Sequence, residues 1–192
     1  MSPELAALER ALTAYRSRRL PFFQLMRQAA VAAVLREGPA GTELLLIRRA
    51  EREGDRWSGH MAFPGGRVSA GEDALAAARR ETHEEIGLDL TASARQIGRL
   101  SHLLAPAHGR PLPMAVIPFV FALSGDPPLA LNAEVAEVVW VPVAFLRERK
   151  NRSTMIFRLA ALPLKLPCYR YEGRLIWGLT LNMIDELLGR IT

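Results

Sequence analysis

Thiol chemistry is almost absent from these 192 residues, because Cys168 is the only cysteine. It cannot close an intrachain disulfide and has no neighbour at metal-ligand spacing, so it fits a reducing compartment and reads as a small buried apolar residue. The four histidines, His60, His83, His102 and His108, show no zinc spacing. No run reaches the ~18 apolar residues of a membrane span. The opening "MSPELAALERALTAYRSRRLPFF" lacks the unbroken apolar core of a secretory signal, and its glutamates depart from acid-poor transit peptides. These absences point to a soluble, cytoplasmic chain with no membrane partner. Arginine is spread along the chain rather than packed into one tract. The net charge of +5 and pI near 10.1 therefore favour a small phosphorylated ligand over nucleic acid.

At 49% hydrophobic, the length suits one domain with a filled core, taken here as residues 1–192. Leu5, Leu8, Leu12 and Tyr15 recur at helical spacing after Ser2, which predicts an N-terminal helix over about 2–20, closed by Pro21. Ala29–Leu35 and Leu44–Ile47 read as a hairpin around the turn-rich "REGPAGTE". Further strands are expected at Gln96–Leu103, Met114–Leu123 and Val138–Val141, with "SGDPPLALNAE" as the loop before the last. "FLRERKNRST" reads as a solvated basic face. Leu179, Met183, Ile184, Leu187 and Leu188 form the core stripe of a C-terminal helix. Strands interleaved with helices place the chain in the α/β class.

The stretch "FPGGRVSAGEDALAAARRETHEEIGL" sets the chemical question. From Asp73 to Ile86 it is alanine-rich without glycine or proline, which predicts a helix that Gly87 ends. At about 100° per residue, Glu81, Glu84 and Glu85 fill one arc, while Leu75, Ala78, Thr82 and Ile86 fill an adjoining arc that packs on a sheet. Like charges at such spacing repel, and a structural helix has no need of them. A hard divalent cation removes the repulsion. Magnesium takes oxygen ligands and keeps phosphate oxygens in its shell, and the upstream glycines let backbone approach a phosphate or lend a carbonyl to the ion.

Gly66, five residues, Glu72, seven residues and then "RETHEEIGL" from Arg80 to Leu88 resembles the Nudix box, G-x5-E-x7-R-E-U-x-E-E-x-G-U with U aliphatic. Thr82 stands at the first U, on the sheet-facing side, so the departure touches packing. The resemblance implies a Nudix α/β/α sandwich with a mixed β-sheet and a catalytic loop-helix-loop. It also implies metal-dependent hydrolysis of a nucleoside diphosphate linked to another moiety. By position, Glu81, Glu84 and Glu85 bind Mg2+, with Mn2+ as the alternative ion, together with the Gly65 carbonyl. Arg80 and Glu72 brace loop against helix.

Upstream, "LLLIRRAEREGDRWSGHMAFPGG", with "LIWGLT" near the C-terminus, is similar to the Nudix branch that hydrolyses coenzyme A and its derivatives. Arg48 and Arg49 then sit at a strand end where guanidinium can grip phosphate beside Gly65 and Gly66. Trp57 is a candidate base-stacking residue, while Trp140 and Trp177 read as core or groove lining. Metal-bound carboxylates are poorly free to take a proton, so a further base is expected, with Glu134 preferred and Glu137 its rival. ADP-ribose, NADH and RNA 5′ ends remain alternative substrates, a silent binding module is a third reading, and a homodimer stays open.

Overall fold

The computed structural model describes residues 2–39, 41–53, 58–105, 113–159 and 162–190. In chain order the elements are α1 (Pro3–Ala14), β1 (Arg27–Gly38), β2 (Gly41–Arg49), β3 (Met61–Ala62), β4 (Gly65–Arg67), α2 (Ala74–Ile86), α3 (Leu90–Ser93), β5 (Ala94–Arg99), β6 (Leu103–Ala105), β7 (Met114–Leu123), β8 (Val135–Pro142), α4 (Val143–Arg147), β9 (Arg152–Leu159), β10 (Leu162–Tyr171), β11 (Arg174–Trp177) and α5 (Gly178–Leu188). The larger sheet runs β3-β2-β1-β7-β5, with β4 on β1, β6 on β7 and β8 on β2. It is mixed as expected: β1 and β7 are parallel, and the other pairs are antiparallel. A smaller antiparallel sheet, β11-β10-β9, stands apart in pairing.

Strand alternation divides the core between the two faces of the large sheet. Ala33, Leu35, Leu44 and Leu46 look one way, into Leu5, Leu8 and Leu12 of α1 and Leu181, Ile184 and Leu187 of α5. Ala32, Val34, Leu45 and Ile47 look the other way, onto Ala77, Ala78 and Ile86 of α2. This layering of helix, sheet and helix is the α/β architecture. The parity of β2 carries over to its end, which decides where Arg48 and Arg49 can act.

The N-terminal helix is shorter than the expected 2–20. Ser2 caps it as read, its hydroxyl accepting from the Leu5 N–H at 3.2 Å. It ends at Ala14, because Tyr15 turns to extended backbone and sends its hydroxyl to Glu186 (2.6 Å) on α5 and to Ser101 (2.8 Å). The strand expected at Gln96–Leu103 is two strands, β5 and β6, broken at Leu100–His102. The break lies opposite Pro118 in β7, whose carbonyl accepts from the Leu100 N–H at 3.0 Å but which has no N–H to return to the ladder, and the next N–H, that of Ser101, bonds Glu186.

The other expected strands are present. The hairpin pairing of β1 and β2 runs on into "REGPAGTE", as far as Gly38 opposite Gly41. In the C-terminal stripe Met183, Ile184 and Leu187 are buried, whereas Leu179 and Leu188 are only half-buried. Cys168 is fully buried. The "FLRERKNRST" run is not wholly a solvated face, since Leu146 is buried and Arg152 makes a bidentate pair with Asp185 at 2.5 and 2.7 Å.

Candidate active site

Helix α2 starts where its capping chemistry dictates: the Asp73 carboxylate accepts from the N–H groups of Leu75 (2.8 Å) and Ala76 (3.0 Å). Gly87, at φ 70°, closes it. Ala78, Thr82 and Ile86 are buried against the sheet and Leu75 is half-buried, as their shared arc requires. The three glutamates do not share one environment. Glu84 is exposed, Glu81 is half-buried, and Glu85 is only 4% exposed.

The two glycines explain how these carboxylates are seated. Gly65 holds φ at 148°, and a Cβ there would run into the backbone of Ala30 and Val31 on β1. A Cβ on Gly66 would overlap the Glu81 carboxylate. Both positions therefore need a residue without a side chain, one for the sheet and one for the carboxylate. The Gly65 N–H donates to Glu85 Oε2 at 2.8 Å. Burial raises the pKa of Glu85 to about 7, helped by the charges of Glu81 and Glu134 and opposed by the Gly65 N–H bond and the charge of Arg49.

Arg80 organises the outer half of the site. Its Nε and Nη2 make a fork to Glu72 at 2.9 and 3.0 Å, and Nη2 also donates to the Arg67 carbonyl at 3.1 Å. The loop ahead of the helix is thereby tied to the helix. Those bonds, with one from the Ser69 N–H, hold Glu72 down to about pKa 2. Arg80 Nη1 also bonds Glu81 (2.9 Å) and Glu84 (3.1 Å), and its own pKa is pushed upward, first by Glu72.

Among the described residues no three acidic, histidine or cysteine side chains already converge as a finished metal centre. Two of the carboxylates, Glu81 and Glu84, do converge on one positive group at Arg80 Nη1. The third carboxylate is buried beside them, with a proton affinity far above that of a solvated glutamate.

The arginine pair is divided by the sheet. Arg49 follows Leu45 and Ile47 onto the α2 face, where its charge acts on Glu85. Arg48 follows Leu44 and Leu46 to the opposite face, and its Nε lies 3.4 Å from Glu137. Glu137 is also gripped there by Arg174 of β11, which holds its pKa down. The two expected phosphate ligands thus lie on opposite faces.

The rival bases are divided in the same way. Glu134 sits on a loop pinned along the C-terminal end of α2, where the Asn132 N–H donates to the Glu85 carbonyl (2.9 Å) and Ala130 N–H to that of Ile86 (2.9 Å). Its charge is felt by Glu85. Arg52 was not singled out in "RRAEREGDR", where nothing distinguishes it from its neighbours, yet its Nη1 bonds Glu134 Oε1 at 3.1 Å.

Of the histidines, His60 packs edge-on to Trp177 at 5.2 Å and His83 is exposed on α2. His102 is buried against Phe23, and burial and the charges of Arg99 and Arg19 lower its pKa. Trp140 is half-buried beneath Arg36. Trp57 and His108 lie outside the described residues.

The NUDIX domain model matches residues 26–159, the span from β1 to β9 that contains the glycine loop, the carboxylates of α2, Arg48, Arg49 and Glu134. The chain belongs to the NUDIX family. It is 40% identical to an uncharacterised Schizosaccharomyces pombe protein over 107 residues, 54% of this chain and 32% of that one. It is 31% identical to the mitochondrial coenzyme A diphosphatase NUDT8 of Homo sapiens over 142 residues, 71% of this chain and 58% of that one. The chain thus spans about a third of the first relative and somewhat over half of the second. Among solved structures, a MutT/nudix family protein from Enterococcus faecalis shares the fold with a TM-score of 0.53 at 15% identity, covering 98% of this chain and 73% of that one.

Proposed function

We propose that this NUDIX-family chain is a diphosphate hydrolase that cleaves coenzyme A or its derivatives within the diphosphate, giving 3′,5′-ADP and 4′-phosphopantetheine. The observation that carries the hydrolytic reading is the carboxylate row Glu81, Glu84 and Glu85, with Glu85 seated on Gly65 and Glu81 against Gly66, and Arg80 locking the loop to the helix. The coenzyme A reading rests on "LLLIRRAEREGDRWSGHMAFPGG" and "LIWGLT", and on the 31% identity to a coenzyme A diphosphatase.

Glu81, Glu84 and Glu85, with the Gly65 carbonyl, would hold Mg2+ or Mn2+. Such an ion would neutralise diphosphate charge, acidify a water and stabilise the leaving oxygen. The chain's own residues do the rest. Arg49 directs positive charge at the carboxylate face where the phosphates come to lie. Gly65 and Gly66 keep the approach free of side chains. Glu134 takes the proton from the attacking water, because it is the acid outside the helix whose charge reaches Glu85. Glu137, engaged by two arginines on the other face, is left a structural part.

Comparing kcat/KM for coenzyme A, ADP-ribose, NADH, dinucleoside polyphosphates and capped RNA tests the substrate. Coenzyme A species should lead, and a clear preference for ADP-ribose over all of them sinks that choice. A steep loss of turnover with salt would instead favour RNA, through multiple phosphate contacts.

A further inference from the structure

Arg52 and Glu134 are 82 positions apart in sequence, and each backbone is fastened independently of their side chains. The Arg52 N–H donates to Ser58 Oγ at 2.6 Å, and the Glu134 carbonyl accepts from the Ala50 N–H at 2.8 Å, just past the end of β2. The Glu134 N–H is in turn held by Asn132 Oδ1 at 2.8 Å. What joins the two side chains is a lighter tie. Arg52 Nη1 meets Glu134 Oε1 at 3.1 Å, Nη2 reaches the Ala133 carbonyl at 3.4 Å, and both side chains are 47% exposed. An exposed pair of this kind shifts an equilibrium by no more than about fivefold.

The pair stands at the rim of the carboxylate site, since Glu134 acts on Glu85 through its charge and Ala50 adjoins Arg49, which does the same. A diphosphate entering there offers a guanidinium more negative oxygen than one carboxylate does, in a geometry that suits its planar fork. We propose that Arg52 exchanges partners: it holds Glu134 in the ligand-free protein and passes to a phosphate oxygen when a diphosphate binds, freeing the Glu134 carboxylate to accept a proton. Arg52 is then a positioning residue for Glu134 and a phosphate contact in its own right. Only side chains move, because both backbones are already pinned. This rests on the reading of Glu134 as the proton acceptor.

The test is a binding cycle that needs neither metal nor turnover. ADP binding is measured by calorimetry in chelator-treated buffer for the wild type, Glu134→Gln, Arg52→Ala and the double variant. Glu134→Gln should tighten ADP by about threefold, because Arg52 no longer has to leave a partner, and Arg52→Ala should weaken it. In the Arg52→Ala background the Glu134→Gln gain should vanish. Equal tightening in both backgrounds is a general charge effect and overturns the exchange, as does no tightening at all. In turnover, Arg52→Ala should raise KM more than it lowers kcat, with Arg52→Lys recovering part of the KM. A Glu134→Gln variant with wild-type turnover instead removes the proton-acceptor reading, and with it the purpose of the exchange, whatever the ADP cycle gives.

Discussion

Replacing Glu85 by glutamine should stabilise the metal-free protein, and the gain should depend on pH in a way that only a buried acid produces. Folding takes this carboxyl from the ordinary glutamate value of 4.5 to about 7. Below pH 4.5 it is protonated in both states and contributes nothing. Between 4.5 and 7 the unfolded chain releases its proton while the folded chain keeps it, so stability falls as pH rises, by up to about 3 kcal/mol in all. Above pH 7 the full cost remains. Glutamine has no proton to lose and can still accept the Gly65 N–H, so it escapes the cost. In a chain of this size each kcal/mol moves Tm by roughly 2–4 °C. Thermal melts in chelator should therefore show Glu85→Gln level with the wild type at pH 4.5 and several degrees above it at pH 8. Adding Mg2+ at pH 8 should raise the wild type far more than the variant. An offset that is the same at both pH values refutes the reasoning, because it would show that the site carries no buried ionisable cost.

Three further outcomes follow from the same geometry. Glu134→Gln should lower turnover by about 10²-fold or more with metal affinity little changed, whereas Glu137→Gln should lose less than tenfold; a loss under tenfold at Glu134 removes it from the mechanism. Gly65→Ala, which drives a Cβ into the backbone of β1, should cost about 2–3 kcal/mol or more in denaturant melts. Gly66→Ala meets only the movable end of Glu81, so turnover should fall at least tenfold while Tm changes little, and the opposite ranking of the two glycines would contradict the seating described.

Much of this was legible in the sequence where a local signal and the fold agreed. The boundaries of α2 follow from its alanines, the Asp73 cap and the Gly87 stop, and the Gly66–Leu88 pattern pointed to the family whose domain model matches. Helical spacing put three carboxylates on one arc, but it could not show that the loop seats Gly65 on Glu85 and Gly66 against Glu81 while leaving Glu84 exposed, since the Glu85 contact comes from a segment twenty positions away. Arg48 and Arg49 look like a pair because they are adjacent, yet strand alternation sends neighbours to opposite faces, one to Glu137 and the other toward Glu85. The β9–β10–β11 sheet was missed because Pro163 and Pro167 and the basic residues of its first strand obscure the alternation. Tyr15 continued the helical spacing and yet ended the helix, since its partners Ser101 and Glu186 lie 86 and 171 positions away.

The most direct test of the central claim is mass spectrometry of the products formed from coenzyme A by the wild type and by Glu84→Gln and Glu85→Gln, each with Mg2+ and with chelator. The account predicts 3′,5′-ADP and 4′-phosphopantetheine from the wild type with Mg2+ alone, and little of either from the two variants. Cleavage that persists in chelator, cleavage outside the diphosphate, or near wild-type rates from either variant at saturating Mg2+ would contradict it.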